Sequence, residues 1–227
     1  MPYYSFEKDL QPQPAPPADW QGTLAVLTPQ ELRAAALPAG LTAPVAPADP
    51  HESQFCWLRV DRTGVTGHLR TPPRPNQSAR RVGFTWCGDR LLVVDHDRVA
   101  ADCMARLSAQ SIRLPDSPDA FLTALLLYLI RDDLAYIQQL ETRLTNLERA
   151  VLDNDTGRFL HQMSGIRKEL NRTNRFYAQL GDFASTLLED AEEQLSGHSR
   201  KRLNHFLRKA ENLRGETRML HEYATQI

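Results

Sequence analysis

Three places in this sequence bring oxygen or imidazole donors together: Asp132-Asp133, Asp95-His96-Asp97, and His198 with His205. Carboxylate oxygens suit hard divalent cations such as magnesium, and imidazole suits zinc. Asp132 and Asp133, and the imidazoles of His198 and His205, are the donors to weigh as metal ligands. Each also has a plainer reading. Asp133 falls on a helical seam as its one polar member, and Asp132 serves equally well as a solvated acidic patch. Residues 95–97 end a strand-like run, where adjacent side chains point to opposite faces and do not converge. His198 and His205 are seven apart, hence on one helix face, but no further ligand lies near them in sequence. The histidines at 51, 68, 161 and 221 form no HExxH-like spacing.

Nothing in the order of residues asks for an enzyme. G-x-S-x-G, a glycine-rich phosphate loop before a helix, and a zinc-ligand cluster are all missing, and the 11 glycines are scattered. A formal net charge of −1 over 227 residues argues against a nucleic-acid partner. Charge is uneven, however. Residues 117–153 carry six acids against three bases, and residues 198–227 carry seven bases against three acids. That contrast fits solvated helix faces or, more sharply, a basic helix approaching a membrane surface or an acidic partner. Cys56, Cys87 and Cys103 show no CxxC spacing and their odd number closes no disulfide framework, which points to a reducing cytoplasm. Met1–Leu10 does not read as a signal peptide. The longest apolar run, Ala120–Ile130, is 11 residues, whereas a membrane-spanning helix needs roughly 20.

Two kinds of element would position these residues. The first 115 residues predict an α+β domain, a small and mainly antiparallel sheet with covering helices. Strand-like runs are Tyr3–Phe6, Thr23–Leu27, Gln54–Val60, Val65–Leu69, Val82–Trp86 and Leu91–Val94. Gly88-Asp89 predicts a two-residue hairpin turn, and Asp61–Gly64 a second hairpin. Residues 11–50 are rich in Pro and Ala, with one short helix over Pro29–Leu37 capped by Thr28. Thr71–Ser78, with three prolines, reads as a flexible or polyproline connection. Val99–Leu107 reads as a helix laid over the sheet.

Residues 116–227 predict a long antiparallel three-helix array. The first helix covers about Ser117–Asp153, with Ser117 as N-cap and Pro118 at the first helical position. Its seam is Ile130, Asp133, Ile137, Leu140, Leu144, Leu147 and Val151. From Phe159 the second helix repeats Met163, Ile166, Leu170, Thr173, Tyr177, Leu180, Ala184 and Leu187. The third places Leu203, Phe206, Ala210, Leu213, Thr217, Leu220, Ala224 and Ile227 in phase. Asn154–Gly157 and Ser196–His198 are the turns between them. With no Gly or Asn stop signal after the last seam residue, the third helix is expected to continue in a longer parent.

This order of elements resembles the cytoplasmic part of CorA-type divalent-cation transporters, a family that includes the zinc-transporting ZntB branch. The likeness lies in LYLIRDDLAYIQQLETRLTNLERAVLDN over 127–154, in IRKELNRTNRFYAQLGDF within 165–183, and in the strand pair over 83–96. It covers about residues 52–227. The resemblance implies a regulatory domain on the cytoplasmic side of a cell membrane, for a transporter of magnesium or, alternatively, zinc. It implies a homo-oligomer, a pentamer in the intact protein, that gates through metal-dependent subunit rearrangement. Asp132 or Asp133 matches an acid of the family's metal-sensing site, whereas Asn204-His205 stands where an Asp-His pair is expected. The Gly-Met-Asn signature of the pore mouth does not occur in these residues. A freestanding cytosolic scaffold, docking through its helical arm, is the alternative reading.

Overall fold

A computed structural model describes residues 3–6, 10–16, 18–44, 56–72, 74–75, 77–110, 114–152 and 159–226. The expected turn at Asn154–Gly157, the seam residue Ile227 and the first residues of the Gln54–Val60 run lie outside them.

Seven strands form one sheet: β1 (Tyr3–Ser5), β2 (Gln11–Gln13), β3 (Thr23–Leu27), β4 (Trp57–Asp61), β5 (Gly64–Arg70), β6 (Arg81–Cys87) and β7 (Arg90–Asp95). Their spatial order is β2-β1-β3-β7-β6-β5-β4. Every pairing is antiparallel except β3 with β7, which is parallel from Leu24↔Leu91 to Leu27↔Val94. That one pair draws the Pro-rich N-terminal residues into the sheet. β2 holds Pro12, which cannot donate to a ladder, and it accordingly sits at the sheet edge. Both expected hairpins form. Gly88 takes φ +60° in the turn before Arg90, and Asp61 Oδ1 accepts from Thr63 N at 2.8 Å and Gly64 N at 3.2 Å.

β7 is covered on both faces, as its apolar run Leu91–Val94 requires. Leu91 and Val93 join the large core beneath the long helices. Leu92 and Val94 join a second cluster with Trp20, Ala25, Leu27 and Leu41. Over that second face lies α1 (Pro29–Ala34), shorter than expected, whose Thr28 and Glu31 make a reciprocal capping box. α2 (Val99–Ala109) follows β7.

The arm departs from its expected form in one respect. The first long helix is two helices, α3 (Pro118–Leu129) and α4 (Asp133–Leu152). Between them the chain tightens, with Arg131 N donating to Tyr128 O and Asp133 N to Ile130 O, both at 3.4 Å. These are three-residue steps in place of four. Ser117 sits at the N-cap of α3, but its hydroxyl donates to Asp119 Oδ1 at 2.5 Å and makes no cap bond. α5 (Phe159–Asp190) buries every seam residue expected of it. α6 (Gly197–Gln226) does the same from Leu203 to Ala224, and begins earlier than expected, so that Gly197 and His198 belong to its first turn. Arg167, early in α5, donates Nε to the carbonyl of Ala224 at the end of α6 at 3.0 Å, which shows the two run antiparallel.

Head and arm share one core. Phe183 of α5 packs edge-on against Phe84 of β6 at 6.1 Å, and Cys56 N, just before β4, donates to Gln179 Oε1 at 3.1 Å.

Candidate functional site

The break between α3 and α4 adjoins a polar, partly enclosed region. Asp is a poor helix-interior residue and a good N-terminal one, so the Asp132-Asp133 pair starts α4. Asp132 O accepts the first helical bond, from Tyr136 N at 3.2 Å. Asp133 keeps its inward place on the seam, at 1% exposure. A carboxylate so enclosed requires partners for both oxygens. Arg74, from the proline-rich β5–β6 connection, binds Oδ1. The Tyr177 hydroxyl of α5 donates to Oδ2 at 2.9 Å. Burial and the adjacent Asp133 charge push the Tyr177 phenol far up, so it stays protonated and remains a donor.

A second layer extends the network outward. The Arg74 guanidinium lies 4.1 Å over the Tyr136 ring. The Tyr136 hydroxyl donates to Glu169 Oε1, and Arg143 Nη1 binds Glu169 Oε2 at 2.9 Å. Burial and Glu169 together raise the Tyr136 phenol as well. Beside this network opens a cavity of about 890 Å³ between the 71–80 connection and residues 128–143. Arg131 stands in its wall, 3.8 Å over the Tyr128 ring and bonded to the Tyr128 carbonyl at 2.9 Å.

Among the expected metal ligands, Asp132 keeps 60% exposure beside Arg131 at 3.0 Å, and Asp133 is committed to Arg74 and Tyr177. His205 lies exposed on α6 and does not line this cavity. Among the described residues no three His, Cys, Asp or Glu side chains gather into a metal cage. Within one copy of the chain, these donors do not fit a complete cation site. His198 is likewise exposed on α6. Asp95 accepts from Val99 N at 2.7 Å and Ala101 N at 3.0 Å, capping α2. Asp97 accepts from Arg81 N at 2.8 Å.

Arg74, Tyr136, Glu169 and Tyr177 did not stand out in the sequence. A signal existed in part: a carboxylate on an apolar seam demands a donor, and Tyr177 is a seam residue carrying one. Arg74, in an irregular segment 59 residues away in sequence, offers no periodicity to read.

An α+β head and a helical arm are thus joined by the largely enclosed Arg74–Asp133 ion pair. The chain belongs to the family of CorA-like Mg2+ transporter proteins, whose family model matches residues 49–227. Its fold is that of known soluble domains in this family. The soluble domain of CorA from Methanocaldococcus jannaschii superposes with a TM-score of 0.77 at 13% identity, over 99% of this chain and 94% of that one. The complete CorA magnesium transporter of the same organism gives 0.76 at 14%, covering 99% and 74%. The ZntB cytoplasmic domain from Vibrio parahaemolyticus gives 0.63 at 14%, covering 100% and 96%. No curated protein matches by sequence.

Proposed function

We propose that this chain is the part of a divalent-cation transporter that lies on the cytoplasmic side of the cell membrane and regulates passage of the ion, with magnesium as cargo ahead of zinc. Family membership over residues 49–227 carries the reading. The manner in which the arm is fastened supports a regulatory role. α4 is tied to the head through Arg74, and α5 through Gln179 and Phe183, so displacing the arm disturbs contacts on the sheet.

No helix among the described residues is long and apolar enough to cross a membrane, so attachment in this reading comes from further segments of a longer protein. The working division is a head over 1–115 and an arm over 116–227, assembled as a homo-oligomer, a pentamer in the intact transporter. An ion shared between copies would find the exposed Asp132 carboxylate and the exposed His205 imidazole, while Asp133 is already spent on its own copy. A metal that binds one arrangement of copies better than another shifts the population toward it.

The test titrates magnesium and zinc separately into the chain while thermal melting and sedimentation are followed. The expected result is a higher Tm and a larger assembly in millimolar magnesium. Flat responses to both metals would sink metal-dependent assembly. Zinc flux without magnesium flux through the intact parent protein in vesicles would reassign the cargo.

A further inference from the structure

We propose that the cavity between head and arm is a binding site for a small, multiply charged phosphate compound, gripped by Arg74, Arg80, Arg131 and Arg143. The inference stands apart from the transport reading, since it concerns the chemistry of one wall in one copy.

Charge is the first argument. Four arginines line the cavity against two acids, Asp132 and Asp133. Asp133 forms an ion pair with Arg74, which offsets both charges, and accepts a hydrogen bond from the Tyr177 hydroxyl. Each arginine has a carboxylate partner, with Asp132 beside Arg131 at 3.0 Å, Asp102 beside Arg80 at 2.7 Å and Glu169 beside Arg143 at 2.9 Å, but Asp102 and Glu169 do not line the cavity, so the lining itself carries four guanidinium groups against two carboxylates. Asp132 at the rim is the single acid facing the opening.

Geometry is the second. A guanidinium carries five N–H donors in a fixed fork that matches phosphate oxygens two at a time. Arg143 spends Nη1 on Glu169, Arg74 spends Nη2 on Asp133, Arg131 spends Nη1 on the Tyr128 carbonyl, and Arg80 spends Nε and Nη2 on the Asp97 carbonyl and Asp102. Buried Arg131 Nε has no hydrogen-bond partner, although Asp132 Oδ2 lies 3.0 Å away as an ion pair. The Tyr136 and Tyr128 rings hold the planes of Arg74 and Arg131 in place, which lowers the ordering cost of engaging a ligand. The first turn of α4, a 20-residue helix, also contributes Asp133 and Ala135 to the wall. The positive end of its dipole favours an anion.

Size is the third. About 890 Å³ falls within the roughly 300–1,000 Å³ usual for small-molecule sites. That is ample for pyrophosphate and sufficient for a nucleotide. A ligand here touches the 71–80 connection of the head and residues 128–143 of the arm together, so binding would lock one to the other.

The experiment adds pyrophosphate, then ADP, to the chain in EDTA at physiological salt, following thermal melting and calorimetric titration. Saturating pyrophosphate should raise Tm by about 5 °C. Arg131→Gln and Arg143→Gln should each weaken binding about tenfold. Arg208→Gln, on the exposed face of α6, should leave it unchanged. Arg143 is 44% exposed, so its variant keeps the fold, and far-ultraviolet circular dichroism verifies this. Phosphatidylglycerol vesicles form a separate arm: capture lost with Arg143→Gln would identify a lipid headgroup as the phosphate, and absence of capture a free compound. No shift with either pyrophosphate or ADP, together with no vesicle capture, would overturn the proposal. So would binding that all three variants weaken alike, which is general attraction to surface charge.

Discussion

Replacing Asp133 with Ala tests whether the inward carboxylate holds head and arm together. Two partners lose their counterpart at once. The Tyr177 hydroxyl is buried and left unpaired, which costs about 1–2 kcal/mol. Arg74 loses its carboxylate; breaking a fully enclosed ion pair costs about 3–5 kcal/mol, but Arg74 is 21% exposed and turns partly to water, which reduces its share to about 1–2 kcal/mol. The sum is about 3 kcal/mol. With a urea m-value of about 3 kcal/mol/M at the upper end for small proteins, the unfolding midpoint should fall by about 1 M. Asp133→Asn keeps an acceptor for Tyr177 and loses only the charge, so it should fall by about half as much. Tyr177→Phe, which leaves one carboxylate oxygen unbonded, should cost about 1 kcal/mol. Urea titration of the variants by circular dichroism decides the matter. If Asp133→Ala stays within about 0.5 kcal/mol of the parent, a typical surface effect, the carboxylate is not the fastening that its burial and partners imply.

Two further predictions concern the ends of the same architecture. Burial pushes the Asp119 carboxyl up, but hydrogen bonds from Ser117, Ser196 and Ser199 outweigh this and hold it below its ordinary 3.8. A carboxyl depressed by folding stabilises above its unfolded value, and the gain is lost as pH falls through the folded value. The gap between the parent and Asp119→Asn should therefore be full at pH 6 and narrow below about pH 4; urea midpoints showing a constant gap would contradict the assignment. At Gly67 in β5, a Cβ would stand 2.6 Å from the Phe84 ring and 3.1 Å from Leu58 Cδ1. Gly67→Ala should cost about 1–3 kcal/mol by overpacking, and a neutral denaturation curve would mean that Phe84 shifts without resistance.

Much of the head was legible because its turns carry their own chemistry. Asp61–Gly64 and Gly88-Asp89 fix both hairpins locally, and Thr28 with Glu31 fixes the start of α1. β2 escaped because Gln11-Pro12-Gln13 has no strand pattern, and only an edge position tolerates it. The parallel β3–β7 pair joins residues far apart in sequence, so no turn announces it. The unbroken apolar run of β7 was the available clue that this strand is covered on both faces.

The break at residues 130–132 was invisible for a more instructive reason. A helical seam alternates steps of three and four, and the tightened turn from Ile130 to Asp133 is itself a step of three. Ile130, Asp133 and Ile137 therefore stay in phase whether the helix runs through or is interrupted, and all three are buried here. Periodicity could show only that Asp133 was the wrong type for its position. The structure resolves that conflict by ending one helix, starting another, and bringing in Arg74 from a proline-rich segment that regular elements could not have supplied. The same break opens the cavity beside the ion pair and leaves Asp132 at its rim. One polar residue on an apolar seam thus coincides with the break in the arm, its fastening to the head and the arginine-lined space between them; disturbing Asp133 should alter all three together, whereas Asp132 should alter only the last.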